Sequence, residues 1–319
     1  MRRKLTFVIV AACSACAIDI GVDERRTSPT QPQSPVLAGC RPLLDHVSAL
    51  EGRLDAQTLP NGTTLLVTES PNRAFLGHNS ACFESATPLA TDTLFDGSAV
   101  GVSTAKLLAA VNASGYCFFN AASGIGIARW NSARMSFEAL SLLWTADRPN
   151  FGSAAAVVDG YVYAFGGLAV RFLAADVYLA RAPLEHIADF SAYEYWQGGG
   201  GWTPDVDRAV PIFEGGLSPS ILFDATRSRW LAAYTSPLSN EVQVRSGLNV
   251  SGPWSSPYVI GRCELPPSDH EAFCGDVTLL SSNTAIRLSY AIASFRTGTR
   301  NPLDYWTRVT TIAWPSALP

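Results

Sequence analysis

Acidic and amide side chains stand at or just ahead of several β-rich runs, and these residues are the best suited to chemistry. Asp55 opens one run, Asn150 precedes another, Glu214 and Asp276 introduce two more, and Ser103 to Lys106 lead into a fifth. His270 and Glu271 lie in a polar loop, Glu264 to Phe273, bracketed by Cys263 and Cys274. Carboxyl groups gathered from separate strands suit cleavage of a glycosidic bond. That reaction takes two of them: one protonated to assist the leaving oxygen, the other ionised as nucleophile or as base for a water. Other chemistries find little support. His46, His78, His186 and His270 are scattered without metal-ligand spacing. Gly124-Ile-Gly126 lacks the rest of a dinucleotide fingerprint, and no Gly-x-Ser-x-Gly elbow occurs. Neither a metal nor a cofactor is therefore expected. With 23 basic against 27 acidic residues, and no basic run interleaved with aromatics, no nucleic-acid partner is expected either.

Acids this far apart meet only if a repeating scaffold brings them together. The stretch 150–202 shows what the repeat is: Ala154 to Val158, an Asp159-Gly160 turn, Tyr161 to Phe165, a loop, Asp176 to Arg181, then Ser191 to Trp196. It reads as one four-stranded antiparallel module, because a two-residue Asp-Gly connection supplies the positive φ angles that a type I′ hairpin needs. Weaker copies flank it. The first runs Asp55 to Leu59, Thr64 to Thr68 and Asn79 to Phe83; the second Lys106 to Val111, Tyr116 to Phe119 and Gly126 to Trp130. The fourth is Pro219 to Phe223, Trp230 to Tyr234 and Val242 to Arg245; the fifth Asp276 to Leu280, Ala285 to Tyr290 and Trp306 to Thr311. Turns at 62, 115, 160, 228 and 283 recur 53, 45, 68 and 55 residues apart, the spacing of propeller blades. The expected fold is all-β, a five-bladed β-propeller of four-stranded antiparallel blades; a β-sandwich is the alternative. In a propeller the first strands begin at the mouth of a central funnel, which would gather the acids above.

Several details follow. Leu184 to Phe190 suits a single turn or a short helix leading into Tyr193, and residues 39–50 suit either a short helix or an outer strand closing the last blade. Gly166-Gly167 looks like the double glycine of kelch repeats but occurs in one copy of five. Most tryptophans are expected to wedge between blades. Trp202, after the pliable Gly198 to Gly201, is expected at the funnel rim.

The segments Asn150-Phe-Gly-Ser153, Tyr161 to Gly166, Val177 to Arg181, Tyr193 to Trp196 and Ser251-Gly-Pro-Trp-Ser255 resemble a family of exported bacterial five-bladed propellers. That family is long catalogued as a domain of unknown function, and some of its members are endo-D-arabinanases. The resemblance covers most of the folded chain. In the family's first blade an Asp opens the inner strand, followed by Leu-Pro-Asp-Gly, then Leu-Trp-Leu-Phe-Gly-Asp-Thr, then Asn-Ser. The corresponding residues are Asp55, Leu59-Pro-Asn-Gly62, Leu65 to Ser70 and Asn79-Ser80, with Glu69 in place of the second Asp and Thr68 in place of its preceding Gly. The resemblance implies Asp55 and Glu69 as a catalytic pair acting on a furanose-containing polysaccharide. Asn79, Asn150, Trp202, Glu214, His270, Glu271 and Asp276 are then expected to hold the substrate. A propeller that binds a glycan or protein without catalysis is the alternative.

Residues 1–16 have the layout of a signal peptide: Arg2, Arg3 and Lys4, a short apolar run, then cysteines. Val10-Ala11-Ala12-Cys13 resembles the lipobox of bacterial lipoproteins, which implies a lipid on Cys13, or on Cys16. An ordinary signal peptide cut near Ala17 is the alternative. Residues 17–38, rich in Pro, Ser, Thr and Gln, read as a flexible linker, and 39–319 as the propeller. The protein is thus expected to be exported, either held on the bacterial envelope through a lipid as its sole membrane contact or extracellular, and to be a monomer. Export permits disulfides. Cys263 with Cys274 is the expected bridge, Cys40 with Cys82 a weaker one, and Cys117 a buried thiol.

Overall fold

The computed structural model describes residues 34–40 and, from 51 to 318, all but 59–62, 71–72, 78–82, 84–86, 90–93, 104, 112–113, 172–173, 217, 237–238, 283, 297–304, 306 and 317. The segment expected to be a signal peptide, the cysteines expected to carry lipid, Asn79 and Cys82 lie outside the described residues. Chained hairpins form five sheets. The first blade is β1 (Glu51–Thr58), β2 (Thr64–Ser70), β3 (Arg73–Gly77) and β4 (Thr87–Pro88), in that order. The second is β6 (Lys106–Val111), β7 (Tyr116–Ala121), β8 (Gly124–Asn131) and β9 (Ser136–Trp144), and β5 (Phe95–Asp96) is added parallel to β9. The third is β10 (Ala154–Val158), β11 (Tyr161–Arg171), β12 (Ala174–Pro183), β13 (Glu194–Trp196) and β14 (Trp202–Thr203); β15 (Phe213–Gly216) also pairs with β12. The fourth is β16 (Ser220–Asp224), β17 (Arg229–Thr235), β18 (Glu241–Gly247) and β19 (Tyr258–Arg262). The fifth has, among the described residues, three strands, β20 (Ala272–Ser281), β21 (Ala285–Ser294) and β22 (Arg308–Ala313).

Each opening strand packs on the next, β1 on β6, β6 on β10, β10 on β16, β16 on β20 and β20 on β1, so the sheets stand radially about one axis as a five-bladed propeller. The expected I′ turn is present: Asp159 and Gly160 have φ of 53° and 79°, and Val158 pairs with Tyr161. The turn or short helix expected over Leu184 to Phe190 is a single 3-10 turn at Leu184–His186, and a second, unexpected one follows at Phe190–Ala192. The third strand of the first blade lies at Arg73–Gly77, earlier than the expected Asn79 to Phe83, because Phe75 pairs with Leu66 and enters the core. Among the described residues no helix is long and apolar enough to cross a membrane.

Strand side chains alternate between the two faces of each sheet, so every blade feeds two cores. On β11, Val162 and Ala164 join the core shared with the second blade, where Phe118 and Trp144 come from the other side. Their neighbour Phe165 points the other way, into the core shared with the fourth blade and Trp230. Both faces of these strands are buried, which is why they read as continuous apolar runs. Trp144 acts as the expected wedge, donating its Nε1 hydrogen to Tyr195 at 2.8 Å and packing edge-on against Tyr193. The apparent kelch glycine has a local cause. A Cβ on Gly166 would stand 2.4 Å from the Phe151 nitrogen, so the close crossing of Asn150 and Phe151 requires glycine there.

The outer strand of the fifth blade, β22, is met by the N-terminal side of the chain. Cys40 and Val309 exchange backbone hydrogen bonds, Cys40 N to Val309 O at 2.8 Å and Val309 N to Cys40 O at 2.9 Å. At residue 40 the closing-strand alternative therefore holds. The same segment runs beside β19 of the fourth blade, with Leu37 N donating to Arg262 O at 2.7 Å. Leu37 is 3% exposed, inside the core between the fourth and fifth blades. Residues 34–38, read from composition as the end of the linker, thus belong to the folded body, which begins at Ser34.

Candidate functional site

Inner strands β10 and β16 run away from the end of the ring where Asn150 lies, here called the mouth. Asp55 lies within β1, opposite Val67, and accepts a hydrogen bond from Ala56 N at 2.9 Å. It is half-buried and borders an axial cavity of about 50 Å³ together with Ala109, Ala154, Ser220 and Thr278. Asp55 is the single charged residue among the cavity's described walls. Glu69 occupies the β2 position two residues past Val67. The β1–β2 register slips between Leu54 and Glu51, beside the Glu69 position. Asp276 sits on β20, at the irregularity between Cys274 and Val277, two residues on the mouth side of Thr278. Asp55 and Asp276 are thus brought to neighbouring inner strands, which the topology of a ring predicts.

Asn150 lies at the mouth, its N–H bonded to Gly167 O at 3.0 Å. His270 and Glu271 are exposed on the loop above β20, and Cys263 and Cys274 are bridged across it, with Cα atoms 5.7 Å apart. Cys40 is disulfide-bonded as well, and Cys117 is a buried thiol. Two residues lie elsewhere than the sequence suggested. Glu214 does not stand at the head of the inner strand of the fourth blade. It sits on β15, opposite Asp176 and three strands out from the inner strand β10, because Phe213–Gly216 turns back onto the third blade before β16 begins. Trp202 is not on the rim. It pairs with Trp196 beside the far half of β12, at the end of the ring away from Asn150.

Two features near the mouth carried no sequence signal. Asp269, 5% exposed, anchors the disulfide loop: it accepts the Tyr305 hydroxyl and, at 3.0 Å, the N–H of Glu271. Phe273 and Phe295 stack with ring centres 4.9 Å apart, and Phe295 is half exposed. The Tyr305 hydrogen bond outweighs desolvation and, with help from Ser294 and Arg296, holds the Asp269 carboxyl below its ordinary value of 3.8. Its contribution to stability is therefore complete above that value and is lost as the pH falls below it. Asp269→Asn should lower the melting temperature at neutral pH, and the gap to wild type should narrow below about pH 4. A pH series of thermal melts checks this, and a gap of constant size would refute it. Among the described residues, no three His, Cys, Asp or Glu side chains group as a metal site.

No curated protein sequence matches the chain at a significant level. Solved structures share its fold at low identity. A GH43_1 enzyme from Xanthomonas citri is 14% identical with a TM-score of 0.51, covering 87% of this chain and 90% of its own. CoXyl43, a GH43 β-xylosidase/α-arabinofuranosidase from a compost metagenome crystallised with xylotriose, is 14% identical with a TM-score of 0.54, covering 89% and 97%. An exo-β-1,3-galactanase from Phanerochaete chrysosporium, crystallised with β-1,3-galactotriose, is 10% identical with a TM-score of 0.50, covering 89% and 65%. At these identities the likeness shows the propeller architecture alone. The sequence profile of a domain of unknown function, DUF4185, matches residues 123–291, more than half the chain and all of the second-to-third and third-to-fourth blade junctions. The chain belongs to the DUF4185 family.

Proposed function

We propose that the protein is a glycoside hydrolase acting on a furanose-containing polysaccharide, with Asp55 and Glu69 as its carboxyl pair. The observation that carries this reading is the charge of Asp55 at the axial cavity, on the inner strand of the first blade, in a fold that saccharide-bound GH43 enzymes share. Asp55 works ionised, as nucleophile or base, with one oxygen already fixed by the Ala56 N–H. Glu69 serves as the acid across the scissile bond, the second of the two carboxyl groups that such hydrolysis takes. Asp276, Asn150, His270 and Glu271 border the mouth where the sugar chain would lie. The test is the release of reducing ends from arabinan and arabinogalactan by the full-length protein. No release by folded protein would remove the hydrolase reading.

A glycan-binding propeller without catalysis is the second reading, favoured by the size of the axial cavity. At about 50 Å³ it holds one or two waters, since a water takes about 30 Å³, and no sugar ring. In either case we propose export and a lipid on Cys13 or Cys16. The leader layout supports this, as does the Cys263–Cys274 disulfide, a bond at home outside the cytosol. Radiolabelled palmitate should enter the wild-type protein expressed in bacteria and be lost when Cys13 and Cys16 are both replaced by Ser. Incorporation by that double variant would refute the anchor.

A further inference from the structure

A concavity of about 750 Å³ opens between the third and fourth blades, at the end of the ring away from Asp55. Its walls include Val158 and Asp159, where β10 ends, and Phe223, near the end of β16; the axial cavity is bordered by Ala154 and Ser220, where the same strands begin. The volume falls within the range of about 300–1,000 Å³ typical of small-molecule sites.

The chemistry of the walls narrows the ligand. Tyr163, Trp196, Trp202 and Phe223 present aromatic surface, and Trp230 backs them. Trp202 is held in place, edge-to-face with Trp196 at 5.5 Å and under the Arg181 guanidinium, whose carbon lies 4.0 Å from the ring centre. Arg181 is itself fixed, donating from Nε and Nη2 to Glu194 at 2.9 and 2.8 Å. That ion pair cancels the one cationic charge among the walls. Asp159 is the other charged wall residue, so no surplus positive charge awaits a phosphate or uronate. What remains is a rigid aromatic floor edged by neutral hydrogen-bonding groups, Asn249 and Ser251 among them, with a side-chain-free flank at Gly200. Flat C–H faces ringed by hydroxyls complement such a surface, and walls already in place lose little freedom on binding.

We propose that this cleft is a second saccharide site, taking a neutral oligosaccharide segment, separate from the axial carboxylates and independent of whether they catalyse. It would hold a chain against the propeller without cleaving it.

Tryptophan fluorescence and calorimetric titrations of the full-length protein with arabinotriose, xylotriose and cellotriose test the assignment, with trigalacturonate as the anionic comparison. At least one neutral triose should bind, and trigalacturonate should bind more weakly. Trp202→Ala should weaken binding about ten-fold, the worth of a good stacking contact. Asn249→Trp, which fills the exposed lip and leaves the wall intact, guards against a folding defect in the first variant and should block binding. Asp55→Asn should leave it unchanged. The proposal is overturned if no neutral triose binds, if trigalacturonate binds more tightly, or if Asn249→Trp binds like wild type. Binding lost in Asp55→Asn but kept in both cleft variants would also overturn it, and would place the sugar on the axis.

Discussion

Asp55→Asn is expected to lower the release of reducing ends from arabinan by about 10²–10⁴-fold, the usual contribution of a positioned carboxylate in acid–base work. The substitution keeps the volume of the side chain beside a cavity of about 50 Å³ and keeps an oxygen for the Ala56 N–H. It removes only the charge. Melting temperature and KM should therefore stay close to wild type while kcat falls. A structural Asp55 would give the reverse, a lower melting temperature with kcat retained. Glu69→Gln should cost a comparable factor, and the double variant little more than the worse single one, because groups that act as a unit do not add. Undiminished release by both single variants would sink the assignment. Wild-type protein that binds the polysaccharide but releases nothing would leave the glycan-binding reading in its place.

What was legible in the sequence is what local chemistry decides. The Asp159-Gly160 turn could be read because both residues must take positive φ, and they do. The inner and second strands of the later blades could be read because both of their faces are buried, which leaves apolar runs bounded by turn residues. Outer strands β5, β9 and β19 went unread: they lie at or near sheet edges, where one face is wet and pairing comes from backbone groups that leave no trace in residue type. Glu214 shows the limit for the site. An acid ahead of an inner strand looks like a mouth residue, and nothing in Phe213 to Gly216 tells that this run first pairs with β12. Trp202 shows the same limit, since its position depends on Trp196 and Arg181, partners visible only once the blade is built. Asp55 and Asp276 lie within β1 and β20 and not ahead of them, and they reach neighbouring inner strands because any ring brings such strands together.

Leu37 makes the strongest case for contacts that composition hides. It is a lone leucine near a run of Pro, Ser, Thr and Gln, with no period to mark it, yet it is 3% exposed between two blades. The structure around it is shaped to receive it. A Cβ on Gly261 would come within 2.3 Å of a Leu37 methyl, so glycine leaves the space that leucine fills. Tyr290 donates its buried hydroxyl to the Leu37 carbonyl at 2.7 Å, and Thr310 donates to the Ala38 carbonyl at 2.8 Å. The segment thereby ties β19 of the fourth blade to β22 of the fifth. Leu37→Ala should accordingly cost about 2–5 kcal/mol, the range for emptying a buried leucine site that cannot collapse. Tyr290→Phe should cost about 1–3 kcal/mol, because the buried Leu37 carbonyl loses its side-chain donor. Urea unfolding followed by tryptophan fluorescence measures both, and release of reducing ends at low temperature should be unchanged in each, since neither residue borders the axial cavity. A Leu37→Ala midpoint indistinguishable from wild type would mean that the ring is held by the fifth-to-first blade contacts alone, through Leu54, Phe75 and Val309, and that the strap is ornament to the closure.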